Sequence, residues 1–149
     1  MLFRSDLLSL NTDPRSIIFN AAASNSIGEI TLYESTHLGG SNLFGTQPNA
    51  KSYKVRTYTL DYLLETSLID RIDFLKIDIE GSEHFALEGI SDKNLSKVRN
   101  IAMEYHHSHF DYDEKLRGDL IERMVRNGFS PYTLFMGGDN NLQMLYFTK

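Results

Sequence analysis

The sequence predicts an α/β fold built on a mixed sheet that ends in an antiparallel hairpin. Apolar runs typical of buried strands alternate with helical patterns in the middle of the chain, and this alternation indicates parallel strands joined by helices. Near the C-terminus, two β-rich runs flank the turn-forming residues 137–141, which predicts the hairpin. A length of 149 residues, with 41% hydrophobic and 23% charged residues, indicates one globular domain over residues 1–149.

The elements of the N-terminal half are predicted from apolar periodicity and turn residues. Leu2–Leu10 is a candidate short helix that ends before Pro14, because proline disfavours helix in the residue preceding it. The apolar run Ser16–Phe19 is typical of a buried strand, and the alternating pattern Glu29–Glu34 is typical of a half-buried one. The β-rich stretch Tyr53–Thr59 predicts a third strand.

The C-terminal half begins with leucines at positions 60, 63, 64 and 68, which recur at helical spacing behind the candidate cap Thr59. The run Ile72–Ile79 indicates a central strand. A turn then leads into a helix that Ser82 can cap and that runs to Gly89, since glycine suits the position after a helix end. The remaining elements are the strand Ile101–Tyr105, the amphipathic helix Asp113–Asn127 and the hairpin strands Phe129–Met136 and Leu142–Thr148.

Composition argues against several classes of protein. Fifteen Lys and Arg against twenty Asp and Glu give a net charge of −5, which disfavours both a nucleic-acid binder and electrostatic docking on an anionic membrane. The chain has no cysteine, so disulfides and thiolate metal sites are excluded. No apolar run reaches the ~20 residues of a membrane helix. The N-terminus lacks the pattern of a signal peptide, so we expect a cytoplasmic protein.

Polar residues follow two of the predicted strands. Asp78 and Glu80 come at the end of one strand, and Glu104 and His106 at the end of the next; parallel neighbours would bring all four to one rim. A carboxylate near an imidazole can act as a general base toward a hydroxyl, or the group can hold a divalent metal. The alternative is that Asp78 and Glu80 merely cap the following helix, whose N-terminal dipole favours negative charge. Lys76, inside an apolar strand, is more typical of a salt-bridged lysine than of a catalytic one.

The stretch from Ile72 to Ile90 resembles the signature of FkbM-type methyltransferases. It has the letters IDFLKIDIEGSE followed by ALEGI, where the family pattern is roughly vDflKiDvEGaE and vLkGa. Three further segments agree in order: AASNSIGE at 22–29, TLDYLL at 59–64 and IAMEYH at 101–106. The resemblance covers about residues 7–105. It implies a class I methyltransferase-like, Rossmann-like fold that uses S-adenosyl-L-methionine.

The resemblance also implies an activity and a set of site residues. Enzymes of this type mostly methylate hydroxyl groups of small molecules, including sugars, so a small molecule with a hydroxyl acceptor is the expected partner. By residue-level match, the four rim residues would line the acceptor side. Asn20 and Ala21 would lie near the adenine of the cofactor. No metal ligand is implied.

The chain departs from the family pattern at its start. The family's first strand with its Gly-rich turn, and its second strand ending in an acidic residue, are not found here. The resemblance therefore implies an N-terminally truncated domain that lacks its first two strands. In the family's sheet these strands lie between Ser16–Phe19 and Ile72–Ile79, so two unpaired edges would remain. We expect this chain alone to bind S-adenosyl-L-methionine weakly or not at all, and its open edges to favour homo-oligomers.

Two other functions stay open. One is a non-catalytic remnant or scaffold that pairs with a partner through exposed strand edges, and cofactor binding separates it from an enzyme. The other is a metal-dependent enzyme that uses the rim of carboxylates and histidine, which metal analysis tests. The histidines at 106, 107 and 109 look like a metal cluster, but adjacent residues on a strand point to opposite faces, so at most two could easily share a site.

Overall fold

A computed structural model of the chain describes residues 12–34, 41–42, 51–106, 113–135 and 142–149. Within these ranges it has eight strands and four helices. The strands are β1 (Ala22–Ala23), β2 (Gly28–Glu34), β3 (Ser41–Asn42), β4 (Ser52–Tyr58), β5 (Leu75–Ile77), β6 (Asn100–His106), β7 (Ser130–Phe135) and β8 (Leu142–Thr148). The helices are α1 (Leu60–Thr66), α2 (Glu83–Glu88), α3 (Asp92–Leu95) and α4 (Asp113–Arg126).

The strands form two four-stranded mixed sheets. The first has the order β1-β4-β2-β3, with β1 parallel to β4 and the other pairs antiparallel. The second has the order β5-β6-β8-β7, in which β5 and β6 run parallel while β8 lies antiparallel between β6 and β7. The prediction of a mixed α/β fold with a C-terminal antiparallel hairpin is confirmed.

The core lies between one face of the second sheet and the helices α2, α3 and α4. Alternation along β5 sends Leu75 and Ile77 toward this core, so Lys76 between them points to the opposite face. Each fully buried aliphatic side chain contributes roughly 1.5–3 kcal/mol to folding. The buried core side chains of the sheet are Ile77, Ile101, Met103, Tyr105, Leu145 and Phe147, and those of the helices are Leu64 of α1, Leu87, Leu95, Leu120 and Met124.

The prediction of a buried strand at Ser16–Phe19 is wrong. These residues form no ladder, and Ile17 is 62% exposed, with Ile18 and Phe19 also exposed. An apolar run becomes a buried strand only where another strand pairs with it and other elements cover its side chains. The described part of the chain supplies neither a partner strand nor a covering element for these residues.

The predicted central strand at Ile72–Ile79 is shorter and lies elsewhere in the sheet than expected. Only Leu75–Ile77 is strand, and Ile72 makes a single bridge to Val98. Among the described residues β5 pairs with β6 alone, so it is an edge strand and not a central one. Phe74, just before it, is 60% exposed.

Several other predictions are confirmed to within a few residues. Thr59 caps α1, because its hydroxyl accepts the backbone N–H of Tyr62 at 3.1 Å. The strands β2, β4 and β6, the helix α4 and both hairpin strands lie where the patterning predicts them. The predicted helix at 2–10, the hairpin turn at 137–141 and the histidines at 107 and 109 lie outside the described residues.

Candidate functional site

The rim predicted from the sequence is organised around Lys76. Its ammonium nitrogen lies 2.7 Å from Oδ2 of Asp78 and 3.4 Å from Oε1 of Glu104. The parallel pairing of β5 and β6, with Lys76 opposite Ala102, sets the two carboxylates at the same edge of the sheet. The hydrogen bond to Asp78, with a smaller contribution from Glu104, holds the pKa of Lys76 above its usual value although desolvation opposes it. The lysine is thus the salt-bridged residue that its sequence context indicates.

Asp78 and Glu104 therefore lie together. Their carboxylate oxygens both contact Nζ of Lys76, so the distance between these oxygens cannot exceed the sum of the two contact distances. Both side chains are partly accessible. Glu80 lies further along, on the turn after β5, and His106 is the last residue of β6, paired in register with Leu142. The described structure extends to the backbone of His106 but not to its side chain. Catalytic roles for these four residues remain predictions.

The turn between β5 and α2 has an unusual backbone. Glu80 and Gly81 have φ of 55° and 95°, in the left-handed region. The carboxyl group of Glu83 is buried, and its Oε1 accepts the backbone N–H of Ile79 at 3.3 Å and that of Gly81 at 3.0 Å. Ser82 occupies the N-cap of α2 but makes no side-chain capping bond, so the prediction that it caps this helix is wrong. The carboxyl group of Glu83, the first residue of α2, accepts N–H groups of the preceding turn instead.

A cavity of about 430 Å³ lies between this turn and the first sheet. Residues 21–26 form one wall, Ile30 and Leu32 of β2 contribute apolar surface, and the turn and α2 close the other side with Ile79, Glu80, Ser82 and Phe85. Ala21 thus lines the cavity. Asn20 is exposed beside it and is not among the lining residues.

The end of α2 is packed closely against the segment after β1. A Cβ on Gly89 would lie 2.2 Å from the carbonyl oxygen of Ser24, and Asn25 donates a hydrogen bond from Nδ2 to Oε2 of Glu88 at 2.9 Å. Gly89 has φ of −78°, so glycine is needed at this C-cap for space and not for a left-handed conformation. These contacts fix one wall of the cavity against the helix that carries Phe85.

Asp61 fastens α1 to the start of α3. Its Oδ1 accepts the backbone N–H of Ser91 at 2.9 Å, the Ser91 hydroxyl at 3.1 Å and Nδ2 of Asn94 at 2.8 Å. Burial acts to raise the pKa of Asp61, but the hydrogen bonds from Ser91 and Asn94, with the charge of Arg123, outweigh it and the pKa is lowered. This carboxylate, which the family resemblance includes in TLDYLL, is structural.

The described ranges contain neither a metal-binding cluster nor a helix that could span a membrane. Their His, Asp and Glu side chains include no group of three or more placed to hold a metal ion. None of the helices in those ranges combines the length and apolar character needed to cross a membrane.

Comparison with known proteins gives a family assignment. Over 80 residues the chain is 32% identical to the AMB antimetabolite synthetase AmbE of Pseudomonas aeruginosa, a match that covers 54% of this chain and 4% of that relative. The chain thus spans a small part of the relative's length. No solved structure matches. The sequence profile of the Methyltransferase FkbM domain matches residues 5–131, so the chain belongs to the FkbM methyltransferase family.

Proposed function

We propose that this chain carries the acceptor side of an S-adenosyl-L-methionine-dependent methyltransferase that methylates a hydroxyl group of a small molecule or sugar. Membership of the FkbM family supports a methyltransferase, and such enzymes generally use S-adenosyl-L-methionine. The observation that carries the acceptor-side assignment is the pairing of Asp78 and Glu104 by Lys76 at the ends of two parallel strands. Open α/β sheets bind ligands at the carboxyl ends of their strands.

In this proposal the cavity beside the rim receives the nucleoside part of the cofactor. Its volume of about 430 Å³ lies within the ~300–1,000 Å³ range of small-ligand pockets. The apolar side chains of Ile30, Leu32 and Phe85 suit a flat base, and Ala21 leaves room for it, with Asn20 at the margin. When bound, the cofactor supplies the methyl group, which passes from its sulfur to the acceptor oxygen.

The rim residues then orient the acceptor and take its proton. A carboxylate oxygen of Asp78 or Glu104 accepts the hydrogen bond of the acceptor hydroxyl, which holds the oxygen in line for attack. The same carboxylate, or the imidazole of His106, removes the proton as the new bond to carbon forms. Lys76 holds the two carboxylates side by side and offsets their mutual repulsion.

We also propose that these residues are an incomplete domain that lacks two strands of its family's sheet. Three observations support this: within the described ranges β5 pairs with β6 alone, Phe74 is 60% exposed and Ile17 is 62% exposed. A complete sheet would pair and cover these residues. Cofactor contacts made by those strands would then be missing.

Calorimetric titration with S-adenosyl-L-methionine and S-adenosylhomocysteine tests this proposal. We expect binding to be too weak for a low-micromolar dissociation constant, since few of the polar groups that fix a cofactor are supplied here. A low-micromolar dissociation constant for either compound would contradict an incomplete site.

A second candidate function, a scaffold that pairs through strand edges, is favoured by the same edge of β5, which has no partner strand in the part of the chain that the structure describes. Light scattering over a range of concentrations would then show association of the chain. Phe74→Lys, at an exposed position beside that edge, should reduce the association without lowering the melting temperature. A protein that stays monomeric at high concentration would count against this function.

A further inference from the structure

The turn that follows β5 holds a residue with a side chain in a conformation that glycine normally takes. Glu80 has φ of 55°, where its Cβ crowds the backbone. Gly81, which follows it with φ of 95°, adopts such a conformation without difficulty. Strain of this kind persists only where surrounding contacts impose it, and it is concentrated at functional sites.

The side chain of Glu83 contacts the backbone on both sides of Glu80. One carboxyl oxygen accepts the backbone N–H groups on both sides of Glu80, from Ile79 at 3.3 Å and from Gly81 at 3.0 Å. Glu83 is only 1% exposed, so these bonds form away from competing water. Burial of a carboxyl group without hydrogen-bond partners is unfavourable. The burial of Glu83 is therefore favourable only while the turn keeps the shape that presents these two N–H groups.

The turn directs its residues to the cavity. Ile79, Glu80 and Ser82 all line it, and so does Phe85 in the first turn of α2. Glu80 is therefore the residue of the predicted rim that lines the cavity. A carboxylate there accepts hydrogen bonds from hydroxyl or amino groups of a bound ligand.

We propose that Glu83 is a positioning residue, which acts through the backbone of Ile79 and Gly81 to hold Glu80 against the cavity. This inference rests on the proposed function of the cavity and rim as a methyl-transfer site. Glu83 itself contacts no ligand in this arrangement. Its effect on ligand binding passes entirely through the conformation of Glu80.

The first test uses NMR without ligand. Glu83→Gln keeps a carbonyl oxygen that can accept both N–H groups, whereas Glu83→Ala removes the acceptor. We expect the three-bond coupling between the α proton of Glu80 and the carbonyl carbon of Ile79, which is large only at positive φ, to be large in the wild type and in Glu83→Gln and small in Glu83→Ala. A Glu83→Ala protein with the same coupling, and with unchanged amide shifts at Ile79 and Gly81, would overturn the proposal.

A second variant keeps the test decisive if Glu83→Ala folds poorly. Glu80→Gly allows the left-handed conformation without strain, so the loss of melting temperature caused by Glu83→Ala should be smaller in the Glu80→Gly background. An equal loss in both backgrounds would show that Glu83 serves packing alone. A double variant that fails to fold while Glu80→Gly folds would lead to the same conclusion.

Addition of S-adenosylhomocysteine as a probe separates this inference from the function on which it rests. Amide shift changes at the cavity in the wild type that shrink several-fold in Glu83→Ala and recover in Glu83→Gln would support both. If the probe shifts the cavity amides of Glu83→Ala as much as those of the wild type, the positioning role is overturned while the proposed methyl-transfer function stands. A probe that perturbs nothing in the wild type, with the Glu80 coupling behaving as expected, would contradict the function and leave the role of Glu83 in shaping the turn intact.

Discussion

A single carboxylate, Asp61, shows how much of this fold depends on individual polar groups. It accepts three hydrogen bonds, two from Ser91 and one from Asn94, and so joins two helices that are far apart in sequence. Asn94 is only 2% exposed, which leaves its amide without water as an alternative partner. Removal of the carboxylate would leave the donors of Ser91 and Asn94 without this acceptor.

We expect Asp61→Ala to lower the free energy of unfolding by about 1–3 kcal/mol, because buried donors without acceptors carry that penalty. Urea unfolding followed by circular dichroism measures the change. The control is Glu65→Ala, at an exposed position of the same helix α1, for which we expect a change within about 0.5 kcal/mol. Equal losses in the two variants would contradict the role given to Asp61.

The lowered pKa of Asp61 also makes an acid-stability prediction. Its folded-state pKa lies below the unfolded value of ~3.9, so the stabilisation is present above that pH and is lost as the pH falls through the folded pKa. Below about pH 4, the wild type should therefore lose stability more steeply than Asp61→Ala. Urea unfolding at a series of acidic pH values tests this, and parallel curves would refute it.

Residue roles could be predicted from the sequence where they depend on local alternation. Lys76, Asp78 and Glu104 are examples, because a polar residue in an apolar strand must face away from the core and find partners there. The role of Glu83 could not be predicted in this way. It depends on the left-handed backbone of Glu80, which no spacing rule gives, although an acidic residue soon after a Glu-Gly turn at a helix start is a usable signal.

At the scale of elements, two glycines differ in whether their position has room for a side chain. Gly89 ends α2 against the backbone of Ser24, with only 2.2 Å between a built Cβ and the carbonyl oxygen. Gly118 lies inside α4, where a Cβ would meet nothing within 4 Å. The first glycine permits a close approach of two elements, whereas the second only weakens its helix.

The matched substitutions should therefore differ in sign. We expect Gly89→Ala to destabilise the protein by about 1–3 kcal/mol, since backbone must shift to admit the methyl group. Gly118→Ala should stabilise it by up to about 1 kcal/mol through helix propensity. Calorimetric unfolding of both variants measures the difference. Stabilisation by Gly89→Ala would show that α2 does not pack against Ser24 as described.

Elements with a clear period could be predicted well, and those that need a distant partner could not. The helix α4 and the strands β7 and β8 lie close to their predicted bounds because helical periodicity and a flanked turn are local signals. The apolar run Ser16–Phe19 has an equally strong local signal but no ladder. Its failure shows that apolar content alone does not determine where a strand pairs.

For the whole molecule, the sequence predicts the class of fold but not the separation of its strands into two sheets. The order β5-β6-β8-β7 combines a parallel pair with an antiparallel hairpin, as the order of strands and helices indicates. The division depends on which strands find partners, and that is a property of the entire chain. The cavity between the first sheet and the turn after β5 is a consequence of this arrangement and was not predictable from any single segment.

The assignment of the cavity and rim to methyl transfer is tested most directly by NMR titration of the ¹⁵N-labelled chain with S-adenosylhomocysteine at up to millimolar concentration. We expect weak, fast-exchanging shift changes that are confined to the residues lining the cavity, which are residues 21–26, Ile30, Leu32, Ile79, Glu80, Ser82 and Phe85. Ala21→Leu, which fills the cavity, should reduce these changes, whereas Lys93→Ala, at an exposed position of α3, should not. Shift changes centred elsewhere, or none at the highest concentration, would contradict the assignment of the cavity and rim to methyl transfer.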